Sequence, residues 1–279
     1  MPIISNPSTF LCTKHFIFCG NDILLEESAA QDTPLSLRSL PDAGTMQRCV
    51  ELQVASDWYE EPDLDYSAMM LEKDAPLPAG CTCIPLRQFF WDTLAQDEQQ
   101  CGGLSPLGGI AARAHGFLRL REQYRYCPQC GTLLQVHEHE AAKVCPKCGR
   151  MDFPRIEPAV IVLVHKGDEI LLVKNKNRSS NFFGCVSGFV EHGETLEQCA
   201  VREVQEETGI TIQNVRYAGS QPWPFPDQLM IAFTADYKEG EIHMQESELD
   251  DAGWFRRDAL PEIPRPGSVA YNLISGNFR

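Results

Sequence analysis

Apolar and polar positions alternate with different periods in the two halves of this chain. From about Pro154 onward the pattern is that of an α/β unit. Ala159–Val164 is a continuous apolar run, Lys166-Gly167-Asp168 breaks it as a turn, and Glu169–Val173 resumes it. That predicts two buried strands. Residues Phe182 to Val190 lead into a predicted helix over roughly Glu194 to Thr208, Ile210–Ile212 and Leu229–Ala235 read as further strands, and a last helix is expected to begin near Ser268. The first 124 residues read as mixed. Arg48–Val54 alternates like a strand, Ile110, Ala114 and Phe117 recur at helical spacing after the turn-rich Gly102–Gly109, and the acidic run Asp57–Asp65 reads as a solvated loop. No internal repeat or low-complexity segment interrupts this organisation.

The predicted helix at Glu194–Thr208 carries an anomaly. Leu196, Cys199 and Ala200 define an inward face, and helical spacing continues that face through Glu203, Glu206 and Glu207. Three carboxylates at i, i+3 and i+4 repel one another, and they stand in the last turns before Gly209, where the helix dipole disfavours negative charge. Something cationic should compensate them. Oxygen ligands in this density suit a hard divalent ion, Mg²⁺ or Mn²⁺, which usually serves phosphate chemistry; the competing reading is a solvated acidic face.

Charge and length narrow the field. A chain of 279 residues can bury a substantial core in two or three units. Its formal net charge of −15 argues against generic binding to DNA, RNA or anionic membrane, so an anionic substrate has to be met locally by metal and a few placed cations. The start of the chain lacks a basic region followed by a clean apolar run, and no apolar stretch is long enough to span a membrane. A reducing cytoplasm is therefore the expected compartment for its twelve cysteines.

Four of those cysteines form a pattern. Cys127-Pro-Gln-Cys130-Gly and Cys145-Pro-Lys-Cys148-Gly are two knuckles that place four thiolates for one tetrahedral Zn²⁺, and the glycines let backbone amides approach the sulfurs. Four cysteines close the coordination shell, so this zinc is expected to be structural. Cys12, Cys19, Cys49, Cys81, Cys83, Cys101, Cys185 and Cys199 read as buried or semi-buried thiols.

With these features in place, residues 188–210 resemble the signature of the Nudix hydrolases at every position: Gly188, Glu194, Arg202, Glu203, Val204, Glu206, Glu207, Gly209 and Ile210. The resemblance implies a loop-helix-loop that binds divalent metal and hydrolyses a diphosphate linked to another group. It implies catalytic roles for Glu203, Glu206 and Glu207, and metal ligands at Glu203, Glu207, the backbone carbonyl of Ser187 and the loop residue Glu248. Gly188, Glu194, Arg202 and Gly209 then form the structural frame, Arg202 and Glu194 pairing to hold the loop against the helix.

Beyond that helix, Ser220-Gln-Pro-Trp-Pro-Phe-Pro226 alternates prolines with two aromatic rings. Proline restricts its own φ and its predecessor, so Trp223 and Phe225 are expected on a nearly rigid extended backbone, preorganised to stack on a planar heterocycle. A zinc ribbon, a Nudix signature and this run together resemble the NADH pyrophosphatase subfamily, from roughly Arg87 to the C-terminus. That resemblance implies hydrolysis of NAD(H) to nicotinamide mononucleotide and AMP, removal of NAD caps from RNA 5′ ends, and a homodimer. It also implies substrate contacts at Arg87, Glu140, Phe153, Phe189, Gln221, Pro222, Trp223, Pro224, Phe225, Pro226, Asp227, Gln228 and Ala270. Gln228 stands where a serine is common and Phe153 where a tyrosine is typical, departures that bear on specificity.

The expected fold is α+β/α-β: an N-terminal mixed α/β domain (1–124), a Cys₄ zinc ribbon (125–153) and a C-terminal Nudix α/β/α sandwich with a mixed sheet (154–279). Two rivals stand beside the NAD reading. One keeps the enzyme with ADP-ribose, a nucleoside triphosphate or a dinucleoside polyphosphate as substrate; the other is a zinc-ribbon regulator with a spent Nudix domain, which the intact carboxylate set opposes.

Overall fold

The structure is a computed structural model and describes residues 4–5, 7–27, 39–95, 106–176 and 181–277. Cys101 and residues 102–105 of the turn-rich stretch lie outside these. Two compact units are present, the first ending at Arg155 and the second beginning at Ile156.

The first unit contains, in chain order, β1 (Ile4–Ser5), β2 (Lys14–Cys19), β3 (Asp22–Glu26), α1 (Ala43–Glu51), β4 (Ala55–Glu61), β5 (Tyr66–Leu71), β6 (Cys81–Pro85), α2 (Leu86–Ala95), α3 (Pro106–Gln123), β7 (Gln135–Val136), β8 (Lys143–Val144) and β9 (Met151–Asp152). Its large sheet has the order β1-β4-β5-β2-β3-β6, with β2 and β5 parallel; β7-β8-β9 form the small ribbon sheet. Apolar residues of α1 and the sheet, including Met46, Cys49, Ile17, Leu24 and Met69, make one buried cluster.

Two sequence expectations fail here. Arg48–Val54 is not a strand: residues up to Glu51 complete α1, whose N-cap Asp42 accepts from Thr45 N–H at 2.7 Å. Buried Thr45, Met46 and Cys49 have helical spacing, which a window opened at Arg48 does not reveal. Nor is Asp57–Asp65 a solvated loop throughout. Ala55–Glu61 is the strand β4, between β1 and β5, and Glu60 and Glu61 are buried. Their charges are met by distant groups. Glu60 Oε1 accepts from Leu11 N–H (2.7 Å), Cys12 N–H (3.2 Å) and Ser67 Oγ (2.7 Å), while Arg113 forks onto Glu61 (2.9 and 2.6 Å) and Arg121 onto Asp57 (2.6 Å twice).

The second unit contains β10 (Glu157–Lys166), β11 (Glu169–Asn175), β12 (Val186–Phe189), α4 (Leu196–Thr208), β13 (Thr211–Trp223), β14 (Gln228–Glu239), β15 (Leu249–Arg256) and α5 (Val269–Ser275). The sheet order is β13-β14-β10-β11-β15, with β12 also on β10; β10 and β14 are parallel and the other pairs antiparallel. Alternate residues of β10 face opposite helices, which is why its sequence is apolar without alternation. Val160, Val162 and Val164 join Cys199, Ala200 and Val204 of α4 in one core, and Ile161 and Leu163 join Val269, Leu273 and Ile274 of α5 in the other. The result is an α/β/α sandwich on a mixed sheet. Among the described residues, no helix is long and apolar enough to cross a membrane.

Candidate active site and metal centres

Helix α4 begins at a capping box. Thr195 Oγ1 accepts from Gln198 N–H (3.2 Å) and Gln198 Oε1 from Thr195 N–H (2.8 Å), satisfying two donors that the first turn leaves open. Gly209 ends it with φ +72°, a left-handed conformation suited to glycine. Between these stops the inward face runs Cys199, Ala200, Glu203, Val204, Glu207 and Thr208. Glu207 is 2 % exposed and Glu203 half-buried. Glu206 departs from the expected face: its side chain is 56 % exposed, because one step around the helix carries it to the rim.

Arg202 organises the carboxylates. Its Nε and Nη2 donate to the two oxygens of Glu194 (3.0 and 2.7 Å), Nη1 donates to Glu203 Oε1 (2.7 Å) and Glu206 Oε2 (3.1 Å), and Nη2 also reaches the Phe189 carbonyl (3.0 Å). The guanidinium beside it, with the Glu191 N–H, holds the Glu194 carboxyl down to about 2. Glu203 shifts the other way. Burial raises its pKa against the lowering effect of Arg202, and the charges of Glu206 and Glu248 raise it further.

Strand β12 supplies the other wall, through the register Val160↔Gly188 and Ile161↔Ser187. A Cβ on Gly188 would lie 2.0 Å from Glu203 Cδ, so the bare glycine is the cradle of that carboxylate. The carbonyl of Ser187 adjoins this cradle in sequence. Glu248 comes from the loop before β15, and no signal local to that loop shows where it docks: His243 and Gln245 N–H donate to the carbonyls of Thr208 (2.8 Å) and Glu207 (2.9 Å) at the end of α4. A donor set of glutamate oxygens and a backbone carbonyl fits a hard divalent cation, and the Gly188 cradle leaves room for the Glu203 carboxylate within it.

The ribbon builds a different centre. Neighbouring sulfurs lie 3.6 Å (Cys127–Cys148), 3.5 Å (Cys130–Cys145) and 3.7 Å (Cys130–Cys148) apart. Tetrahedral zinc with bonds of about 2.3 Å sets sulfurs about 3.8 Å apart, so the cluster fits that ion. Thr132 beside it lowers the pKa of the Cys130 thiol. Among the described residues this is the only set of three or more metal-ligating side chains whose donor atoms all lie within 4.8 Å of one another. The α4 carboxylates are less tightly gathered.

The remaining site candidates divide between the units. In the first, Arg87 is exposed on α2, Glu140 is exposed in the β7–β8 turn with its N–H donating to His137 Nδ1 (3.0 Å), and Phe153 follows β9 with 54 % exposure. In the second, Phe189 ends β12 and is 49 % exposed. Pro222 and Trp223 complete β13, whereas Pro224, Phe225 and Pro226 form the turn before β14, with a cis Phe225–Pro226 bond. The extended backbone expected for both aromatics therefore holds for Trp223 alone. The two rings meet edge to face, centroids 5.3 Å apart. Asp227 gives its carbonyl to Glu157 N–H (2.8 Å), and Gln228 pairs with Trp223 in the ladder.

Gln221 braces a neighbouring element. It is fully buried, its Nε2 donates to the Gly267 carbonyl (2.9 Å) and its Oε1 accepts from Val269 N–H (2.8 Å). Both ends of the amide are thus used to brace the start of α5. The methyl group of Ala270, likewise, lies in the core under α5.

The chain matches a NUDIX domain over residues 155–273 and an NADH pyrophosphatase zinc ribbon domain over residues 122–152. It is 42 % identical over 219 residues to the NAD-capped RNA hydrolase NudC of Pseudomonas aeruginosa strain LESB58, covering 78 % of this chain and 73 % of that one. The protein of the same name from Chromobacterium violaceum is 47 % identical over 164 residues, 59 % and 62 % of the two chains. That from Vibrio parahaemolyticus serotype O3:K6 is 33 % identical over 258 residues, 92 % of this chain and 90 % of its own. Likeness over nearly the whole length, with a zinc ribbon ahead of an intact carboxylate helix, places the chain in the NudC family of the Nudix hydrolases.

Proposed function

We propose that this hydrolase cleaves the diphosphate of NAD(H) to NMN(H) and AMP and removes the NAD cap from RNA 5′ ends. The observation that carries the reading is the complete carboxylate set of α4, held by the Arg202–Glu194 fork and the Gly188 cradle, in a chain related along most of its length to NAD-capped RNA hydrolases.

Glu203, Glu207, Glu248 and the Ser187 carbonyl would hold Mg²⁺ or Mn²⁺, and the four ribbon cysteines one Zn²⁺. The bound divalent cation supplies charge neutralisation on the diphosphate and a water of lowered pKa. Arg202 aims Glu203 and opposes, without cancelling, the burial that raises its pKa. Glu206, the exposed member, is available to accept a proton from the attacking water. Trp223 and Phe225, set edge to face, offer a ring face for a planar base. Further substrate contacts in this reading are Phe189, Asp227 and Gln228 in the second unit and, separately, Arg87, Glu140 and Phe153 in the first. It also takes the chain as three parts, 1–124, 125–153 and 154–279, working as a homodimer in the cytoplasm.

The test is a comparison of kcat/KM for NADH, NAD⁺, NAD-capped RNA, ADP-ribose and 8-oxo-dGTP, with Glu207→Gln alongside. NAD(H) and the capped RNA should lead. The variant should lose activity on the order of a thousandfold while keeping its circular dichroism spectrum. A lead for ADP-ribose or 8-oxo-dGTP would move the substrate assignment, and full turnover by Glu207→Gln under Mn²⁺ would remove the metal site from α4.

A further inference from the structure

Glu248 is exposed on a loop, and a glutamate in that position has many rotamers open to it. The loop itself is fastened. The last carbonyls of a helix lack intrahelical donors, and here those of Glu207 and Thr208 take the N–H groups of Gln245 and His243. The Gln245 carbonyl then accepts from Glu248 N–H (2.9 Å) and Leu249 N–H (3.0 Å), closing a turn whose last residue, Leu249, is buried in the core beneath α4. On the far side Lys176 N–H donates to the Glu248 carbonyl (2.8 Å) and Lys176 Nζ to the Glu246 carbonyl (3.0 Å). These bonds fix the backbone at 245–249 and leave the carboxylate to be placed.

One further bond places it. Gln245 Nε2 donates to Glu248 Oε1 at 3.2 Å. Gln245 is thus joined through its backbone to Glu207 and through its side chain to Glu248, the helix ligand and the loop ligand of the proposed metal site. A neutral amide is well matched to this position, because it donates to one carboxylate oxygen, leaves the second open, and adds no charge that would compete with a cation or repel Glu248.

We propose that Gln245 is a positioning residue of the metal site, its amide holding the Glu248 carboxylate in place against α4. The proposal rests on the reading of Glu248 as a metal ligand. Gln245→Met keeps the backbone bonds and most of the side-chain length while removing the donor, and Gln245→Ala is a second variant of the same kind.

The experiment is a Mn²⁺ titration of the full chain, by calorimetry or by the free-ion electron paramagnetic resonance signal, on wild type, Gln245→Met, Glu248→Gln and the double variant. Gln245→Met is expected to weaken Mn²⁺ binding about tenfold, as loss of a bond to a metal ligand does. In the Glu248→Gln background the same change should cost nothing further, since the residue it acts through is already altered. Saturating Mn²⁺ should restore kcat in Gln245→Met. Equal losses in both backgrounds, or unchanged binding in Gln245→Met and Gln245→Ala when Glu248→Gln binds weakly, overturn the proposal and leave Glu248 a ligand. Unchanged binding in Glu248→Gln removes Glu248 from the ligand set and the proposal with it.

Discussion

Gly188 shows how much of the site depends on a single missing atom. A Cβ there would stand 2.0 Å from Glu203 Cδ and displace the carboxylate, since the other side of that group is held by Arg202. Gly188→Ala is therefore expected to lower kcat/KM about ten- to a hundredfold with the fold unchanged by circular dichroism. Wild-type turnover in that variant would mean that Glu203 works from another position. At this scale the sequence names the participants through spacing, because a helix converts intervals of three, four and eight residues into neighbours on or beside one face. It does not rank their exposure. Glu206 and Glu207 are adjacent in sequence, yet one is on the rim and the other in the core. The burial of Gln221 is hidden from the sequence for a related reason: its partners, Gly267 and Val269, lie 46 and 48 residues away.

Among the elements, α4 is legible from end to end because its signals are local: Thr195 with Gln198 at one end, Gly209 at the other, and the apolar spacing between. β10 is legible because both its faces are covered. β4 and α1 are not. A strand carrying Glu60 and Glu61 is stable only with Arg113, Ser67 and the amides of Leu11 and Cys12 in place, and nothing near Asp57–Asp65 announces them. The ribbon is the opposite case, with its knuckles written plainly and almost no core of its own. Its buried cluster consists of Leu134 with Cys127 and Cys145, two of the metal ligands. Removal of zinc by a strong chelator should therefore open β7–β9 and expose this segment to proteolysis. A ribbon that stays protease-resistant without zinc would show that the cysteines are not its main staple.

Across the whole molecule, buried imidazoles and paired carboxylates respond to acid over different pH ranges, His165 of the second unit being lowered by burial like the histidines of the first. His115 is buried in the first unit, where burial pushes its pKa down from 6.5 to about 4 while its Nε2 bonds the Gly20 carbonyl at 2.8 Å. The folded state keeps this imidazole neutral, whereas the unfolded chain protonates it near its ordinary value. Stability is thus lost as pH falls from 6.5 through about 4, by on the order of 3 kcal/mol once both values are passed. Burial lowers His15 in the same sense. Glu194 in the second unit is depressed to about 2, so its contribution is full above its ordinary 4.5 and is lost progressively as pH falls from there through about 2. Urea unfolding at a series of pH values should show the earlier loss, and His115→Gln, which does not titrate, should flatten it in part. An identical pH dependence in that variant would rule out His115 as the source.

Short segments of the sequence encode the chemistry of this protein, a carboxylate helix, four thiolates spaced for zinc and an aromatic-proline run, because local spacing brings their side chains close together. Tertiary structure decided what holds those groups in position. The bare Gly188 lies against Glu203, the 243–248 segment is tied to the end of α4, Gln221 is spent on α5, and an acidic run is folded into a buried strand. Each of these depends on partners distant in the chain, and such pairings form only when the sheet and its covering helices bring separate segments into contact.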